Sequence, residues 1–272
     1  PDGEVEQFSH NAVIPTGSTF VRNDQAVQPG TPVYQAITAI LEQTGIARIV
    51  AEDPRMVAAL APYAQKVAAY RTVAIATAAE DLVRGLNRGP GPLAADSMLA
   101  AVPRAQVAIL NYGGIRRDLL HGKISAGDLL EVMPFNNSLV LVDLSGAELL
   151  KSLEDTVAFM LVKFGSDTMN MPFVSGIRFS VQLTAPYGSR IERMQIRSDS
   201  GSFVPVEPAQ RYRVVVNSFV AEGGDGFGVI KTAAGFKSDT GIIDSDAMRD
   251  YLQKLGSVRN TVEQRISVLP VN

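Results

Sequence analysis

Apolar positions along this chain change rhythm, from helical spacing early to strand-like runs later. The first 30 residues show neither and are rich in Pro, Gly, Thr and polar residues, which predicts irregular chain. The stretch "TPVYQAITAILEQTG" (Thr31 to Gly45) predicts a helix, with Thr31 as cap, Pro32 in the first turn and Gly45 closing the far end. Between Pro54 and Ala69, Met56, Leu60, Tyr63 and Val67 recur at helical spacing and predict a second helix. Thr72 to Ala76 reads as a short strand. A Pro/Gly loop then precedes a helix over Leu93 to Val102, and Ala105 to Asn111 reads as a short buried strand.

Two capping boxes follow, Ser125 with Asp128 and Ser145 with Glu148, each opening a helix. In the second helix Leu149, Leu153, Val157 and Met160 form one apolar face, suited to packing on a sheet. Strands are predicted over Ser138 to Leu144, Phe173 to Leu183, Arg190 to Arg197 and Tyr212 to Phe219, then a last helix over Asp246 to Leu255 and a β-prone tail, "RISVLPV". Helices and strands interleave without a regular βαβ rhythm. That pattern predicts the α+β class with mixed β-sheets and interleaved helices.

Composition narrows the chemistry. Against 28 Asp+Glu stand 25 Lys+Arg, a formal charge of −3, with no basic stripe, so nothing argues for nucleic acid as partner. The absence of Cys removes disulfides, thiol nucleophiles and thiolate metal sites. Only His10 and His121 are present, and neither an H-E-x-x-H helix nor a G-x-S-x-G elbow occurs. No segment approaches the roughly 18 continuous apolar residues of a membrane span.

Two loops at predicted strand ends carry the remaining signal. "NSFVAEGGDGF" (Asn217 to Phe227) joins an aromatic to glycines around one acid, and "NYGGIRRDLLHGKISAGDLLEVMPFNNSLV" (Asn111 to Val140) ends in a second Phe before a strand. The glycines of the first loop alternate too closely for a dinucleotide fingerprint, and no G-K-[ST] ending makes a P-loop. Each Phe alone reads as core. Together, two rings across a gap could stack on both faces of a flat heterocycle. An acid beside them could accept from vicinal hydroxyls, and an arginine could meet a sugar oxygen or phosphate.

Those two stretches resemble the C-terminal, substrate-binding domain of the 5′-nucleotidase family, which includes UDP-sugar hydrolases and related phosphoesterases. "NYGGIRRD…PFNNSLVLVDLSGAELLKSLE" is similar to the family's N-G-G-G-I-R…P-F-x-N-x-L…L-T-G…L-E, and "YRVVVNSFVAEGGDGF" to Y-x-V…N-x-F-x-x-G-G-D-G-Y/F. "FVSGIRFSV" and "GSRIERMQI" keep the family order, so the resemblance covers about Leu82 to Leu255. It implies that Phe135 and Phe219 sandwich a base and that Asp225 holds the ribose hydroxyls. Asn111, Arg116 and Asn137 join the site by the same likeness, and Gly176 lines it through its backbone. An arginine ahead of the first domain helix also takes part, with Arg84 and Arg88 both open. The sequence departs from the pattern at Tyr112, in place of a glycine, and in "RGPGPLAAD", which lacks E-x-x-L-G-N-L.

The family's D-x-H, G-N-H-[DE] and G-H-x-H signatures, which hold two divalent metal ions in an N-terminal metallophosphoesterase domain, do not occur here. The expectation is therefore the C-terminal part of a larger enzyme cut at Pro1, inactive alone and with no cofactor of its own. Residues 1–80 would be the tail of, or connection from, the missing domain, and 81–272 the substrate-binding domain. The resemblance further implies a nucleoside or nucleoside 5′-phosphate as ligand, the metal-bearing domain as partner, hinge-type rotation between the two, and a periplasmic or secreted location. Two other readings stay open on the residues. One is a non-catalytic nucleoside-binding protein. The other is a scaffold, with both Phe rings in its core, for a phosphoesterase acting on a UDP-sugar, cyclic nucleotide or thiosulfonate.

Overall fold

The structure is a computed structural model and describes residues 12–15, 20–22, 25–27, 29–44, 47–50, 53–165, 170–260 and 263–269. The chain divides into two compact units, Pro1–Ala68 and Ala69–Asn272.

In the first unit the expected irregular stretch contains three short strands: β1 (Ala12–Pro15), β2 (Phe20–Arg22) and β3 (Gln25–Val27). β2 and β3 pair as an antiparallel hairpin. After α1 (Pro32–Gln43) comes β4 (Ala47–Val50), which pairs in parallel with β1. Strands this short show no alternation, and the partner of β1 lies beyond a helix, so local pattern misses them. α1 starts as predicted: the Tyr34 N–H donates to Thr31 Oγ1 at 3.2 Å, and Pro32 occupies the first turn. Gly45, expected to close it, lies outside the described residues. α2 (Pro54–Arg71) matches the second predicted helix.

The second unit is built on a five-stranded sheet. In chain order its elements begin with β5 (Ala74–Ala78), α3 (Pro90–Ala101), β6 (Val107–Leu110), β7 (Gly122–Ser125), α4 (Ala126–Val132), β8 (Ser138–Ser145) and α5 (Gly146–Phe164). Then come β9 (Phe173–Ser175), β10 (Ile177–Val181), β11 (Ile191–Arg197), β12 (Phe203–Pro205), β13 (Arg211–Asn217) and the helical turns α6 (Ser218–Ala221) and α7 (Gly228–Thr232). β14 (Lys237–Ile243), α8 (Asp244–Leu255), β15 (Ser257–Val258) and β16 (Ile266–Val268) complete it. The central order is β14-β8-β13-β6-β9, parallel only between β13 and β6. A second sheet runs β12-β11-β10-β16 and a third β15-β5-β7, each with one parallel pair.

Alternation along the central strands builds two cores, one per face. Ala108, Leu110, Leu139, Leu141 and Val215 face one way, packed with Met98 of α3, Leu129 of α4 and Met248 and Leu252 of α8. Val107, Ile109, Val140, Val142, Val214 and Val216 face the other, packed with α5 and with Ile177, Phe179 and Ile196 of the second sheet. A strand buried on both faces reads as a continuous apolar run, as "VVV" in β13 does. The expected apolar face of α5 lies here, with Leu149, Leu153 and Val157 fully buried. Each such side chain contributes roughly 1.5–3 kcal/mol. Both capping boxes form: Ser125 and Ser145 hydroxyls accept from the Asp128 and Glu148 N–H groups, and those carboxylates accept in return from the serine N–H groups at 2.7 Å. The Ser145 N–H holds the Glu148 carboxyl below its ordinary pKa. The class is α+β with mixed sheets.

Ala105 to Asn111 forms a strand only over Val107–Leu110, and two longer predicted strands are cut short, each for a reason in one residue. The run Phe173 to Leu183 breaks at Gly176, where φ is +74° and the chain passes from the central sheet to the second. A Cβ there would fall 2.1 Å from the Gln106 carbonyl oxygen, which only glycine avoids. The run Tyr212 to Phe219 stops at Asn217, whose side chain caps α6 and so puts Phe219 in a helical turn. Among the described residues no helix is long and apolar enough to cross a membrane.

Candidate functional site

Register in the central sheet gathers three asparagines at one edge. β6 and β13 run in parallel with Ile109 opposite Val216, and β8 runs against β13 with Leu139 opposite Asn217. The C-terminal ends of β6 and β13 and the N-terminal end of β8 therefore coincide. Asn111 follows β6, Asn217 ends β13, and Asn137 precedes β8.

Hydrogen bonds chain two of them to the acid of the Gly-rich loop. The Val220 N–H donates to Asn217 Oδ1 at 2.9 Å, Asn217 Nδ2 donates to Asn111 Oδ1 at 3.1 Å, and Asn111 Nδ2 donates to Asp225 Oδ2 at 2.8 Å. Asn217 is fully buried and Asn111 nearly so, which makes each of these bonds costly to leave unmade. The Asp225 carbonyl accepts from Thr156 Oγ1 of α5 at 2.9 Å, pinning the loop to the helix. Asn111 thus positions the carboxylate. Asn217, quoted in the motif but given no role from sequence, anchors the chain of bonds.

The loop backbone is shaped for this. Asp225 has φ 50° and Asn136, next to Phe135, has φ 51°, two of the three non-glycine residues with positive φ among the described residues. Asp and Asn tolerate that region better than other non-glycine residues. A Cβ on Gly224 would lie 2.3 Å from Phe219 Cε1, so the bare glycine lets the ring rest on the loop. Tyr112 does not crowd the site: its ring turns into the core, with its centroid 6.0 Å from that of Phe173, and leaves Gly113 and Gly114 facing the opening.

These parts enclose a cavity of about 400 Å3 lined by Asn111, Gly113, Gly114, Arg116, Phe135, Asn137, Lys163, Phe219 and Asp225. That lies within the usual size of small-ligand pockets. Phe135 and Phe219 are 54% and 45% exposed, so neither ring is part of the core. The Arg116 guanidinium lies 5.9 Å from the Phe135 ring centroid. Lys163, in the last turn of α5, brings Nζ to 3.8 Å from Asp225 Oδ1. Two cations and one carboxylate therefore face the opening. A cleft of similar size, about 390 Å3 beside α5 and Tyr187, is lined by none of the predicted site residues.

Six of the predicted site residues share this wall: Asn111, Arg116, Phe135, Asn137, Phe219 and Asp225. Three do not. β9 runs against β6 with Phe173 opposite Leu110 and Ser175 opposite Ala108, so Gly176 lies at the far end of β6 from Asn111. Its glycine serves the turn between sheets. Arg84 Nη1 donates to the Ile115 carbonyl at 2.9 Å, and its guanidinium lies 5.6 Å from the Tyr112 ring centroid. Arg88 is exposed and folds over Gly85. Lys163 was missed because nothing local marks a lysine near a helix end as part of a distant loop's site.

A buried acid adjoins the wall. Asp244, at the start of α8, accepts from Asn137 Nδ2 at 3.2 Å and from the Ser245 N–H at 2.8 Å, and is 2% exposed. Desolvation pushes its pKa up to about 6, against the hydrogen bonds from Asn137 and Ser245, which lower it. Its folded pKa exceeds the unfolded value of 3.8, so the stabilisation it provides is full below about 3.8 and is lost as pH rises through about 6. Urea unfolding of wild type and Asp244→Asn from pH 4.5 to 7.5 should show wild type losing about 2 kcal/mol relative to the variant. A pH-independent difference would place the titration elsewhere.

Among the described residues no three His, Asp or Glu side chains are grouped so that they could hold a metal ion.

The sequence profile described as "5′-nucleotidase, C-terminal domain" matches residues 72–232. The trifunctional nucleotide phosphoesterase protein YfkN of Bacillus subtilis is 36% identical over 188 residues, 68% of this chain and 12% of that protein. The probable 5′-nucleotidase of Treponema pallidum is 34% identical over 154 residues, 55% of this chain and 26% of its own length. Among solved structures, a 5′-nucleotidase precursor from Thermus thermophilus superposes with a TM-score of 0.70 at 39% identity, over 82% of this chain and 45% of that one. The chain thus spans less than half the length of each of these proteins. With the profile covering most of the second compact unit and the site's two motif loops inside it, the chain belongs to the 5′-nucleotidase family through its C-terminal domain.

Proposed function

We propose that this chain is the nucleotide-recognition part of a metal-dependent 5′-nucleotidase. In that role it grips the nucleoside of a nucleoside 5′-phosphate while a separate metallophosphoesterase domain, holding two divalent metal ions, hydrolyses the ester. The observation that carries the reading is the convergence of Phe135, Phe219, Asp225, Asn111, Arg116 and Asn137 on one cavity. Two half-exposed rings offer stacking surface for a base, the anchored carboxylate offers acceptors for ribose hydroxyls, and Arg116 offers donors to a sugar oxygen or phosphate. Holding the nucleoside orients the 5′-phosphate, the part that proximity contributes to rate. On this reading the chain binds without hydrolysing, and the whole enzyme works in the periplasm or outside the cell.

Calorimetric titration of the chain with adenosine and AMP in EDTA tests it. Saturable binding is expected without metal. Phe135→Ala and Phe219→Ala should each weaken it by about 1–3 kcal/mol, roughly 5- to 150-fold, while thermal stability changes little because both rings are exposed. No binding by a well-folded chain would overturn the reading.

A further inference from the structure

Lys163 belongs to no motif, yet it stands in the cavity wall beside the acid. Its Nζ lies 3.8 Å from Asp225 Oδ1, beyond hydrogen-bond length, while Oδ2 of the same carboxylate is already taken by Asn111. The ammonium also lies 5.3 and 5.1 Å from the ring centroids of Phe159 and Phe164, and its side chain is 49% exposed.

A carboxylate only accepts, so a hydroxyl donating to Oδ1 still has lone pairs to satisfy, and an ammonium carries three donors. An oxygen about 2.7 Å from Oδ1 and about 2.8 Å from Nζ spans the observed gap, its two bonds meeting near a right angle. We propose that Lys163 is a further ligand-binding residue: with Asp225 it brackets one ribose hydroxyl, which donates to Oδ1 and accepts from Nζ, and so sets a preference for ribosides over deoxyribosides. The proposal rests on the nucleoside reading of the cavity.

The test is titration of wild type, Lys163→Met and Phe219→Ala with adenosine, 2′-deoxyadenosine and 3′-deoxyadenosine. All three ligands are uncharged, so long-range attraction to the lysine plays no part. Wild type should bind at least one deoxy analogue more weakly than adenosine. Lys163→Met should bind adenosine roughly three- to tenfold more weakly, yet bind that analogue as wild type does, so that the preference narrows by the same factor to what Asp225 alone supplies. Thermal unfolding of Lys163→Met should match wild type. If Lys163→Met binds all three ligands as wild type does, or weakens all three equally, the bracketing role is wrong. In that case loss of adenosine binding in Phe219→Ala would still uphold the nucleoside reading. If wild type binds no adenosine, both fall together.

Discussion

Glu154→Ala is expected to destabilise the second unit by about 3–5 kcal/mol, read as a lower urea midpoint at unchanged slope. Glu154 projects from the middle of α5, is 3% exposed, and its carboxylate accepts from the N–H groups of Gly188, Arg190 and Ile191 at 3.0, 2.6 and 2.7 Å. Those donors close the loop that leads into β11, so one side chain joins helix to second sheet. Alanine would strand three backbone donors, each costing roughly 1–3 kcal/mol where water cannot replace the acceptor. Glu154→Gln keeps one oxygen and should lose about half as much. A loss below about 1 kcal/mol for alanine would mean the loop finds other acceptors.

A comparable loss, about 3–5 kcal/mol, is expected for Arg265→Met, for a different reason. Arg265 is 5% exposed and ties the chain entering β16 to α3 and β9. Nη1 donates to the Val174 carbonyl at 2.8 Å, Nη2 to Asp96 Oδ2 at 2.9 Å, and Nε to Glu263 Oε2 at 3.0 Å. Removing the guanidinium leaves Asp96, only 20% exposed at its side chain, with Ser175 Oγ as its remaining partner. The cost is therefore that of an uncompensated charge rather than of lost bonds alone. The double variant Arg265→Met/Asp96→Leu separates the two by removing both charges. It should recover a substantial part of the stability in thermal unfolding, and failure to recover any would assign the loss to the carbonyl bonds.

Much of this was legible in the chain. Both capping boxes, the apolar face of α5 and the strand predicted over Ser138 to Leu144 follow from rules that act within a turn or two of sequence. The motif loops were legible because each sits whole at a strand end, although what brings them together is the register of β6, β8 and β13. Features that depend on distant partners were not. β1 is defined by a strand beyond a helix, Gly176 by the carbonyl of Gln106 far earlier in the chain, and Lys163 by an acid carried on another loop. Phe219 was misassigned to a strand because apolar residues run up to it, whereas capping by Asn217 decides the matter.

The bonds from Val220 through Asn217 and Asn111 to Asp225 begin on the same helical turn that carries Phe219. Aromatic surface and acid are therefore two ends of a single mechanical part, set in place by two buried amides in series. Such a part cannot be adjusted piecemeal. Any change at Asn217 shifts both ends at once, which leaves Phe135 and Lys163, held on separate elements, as the places where the grip on a new ligand could be altered one contact at a time.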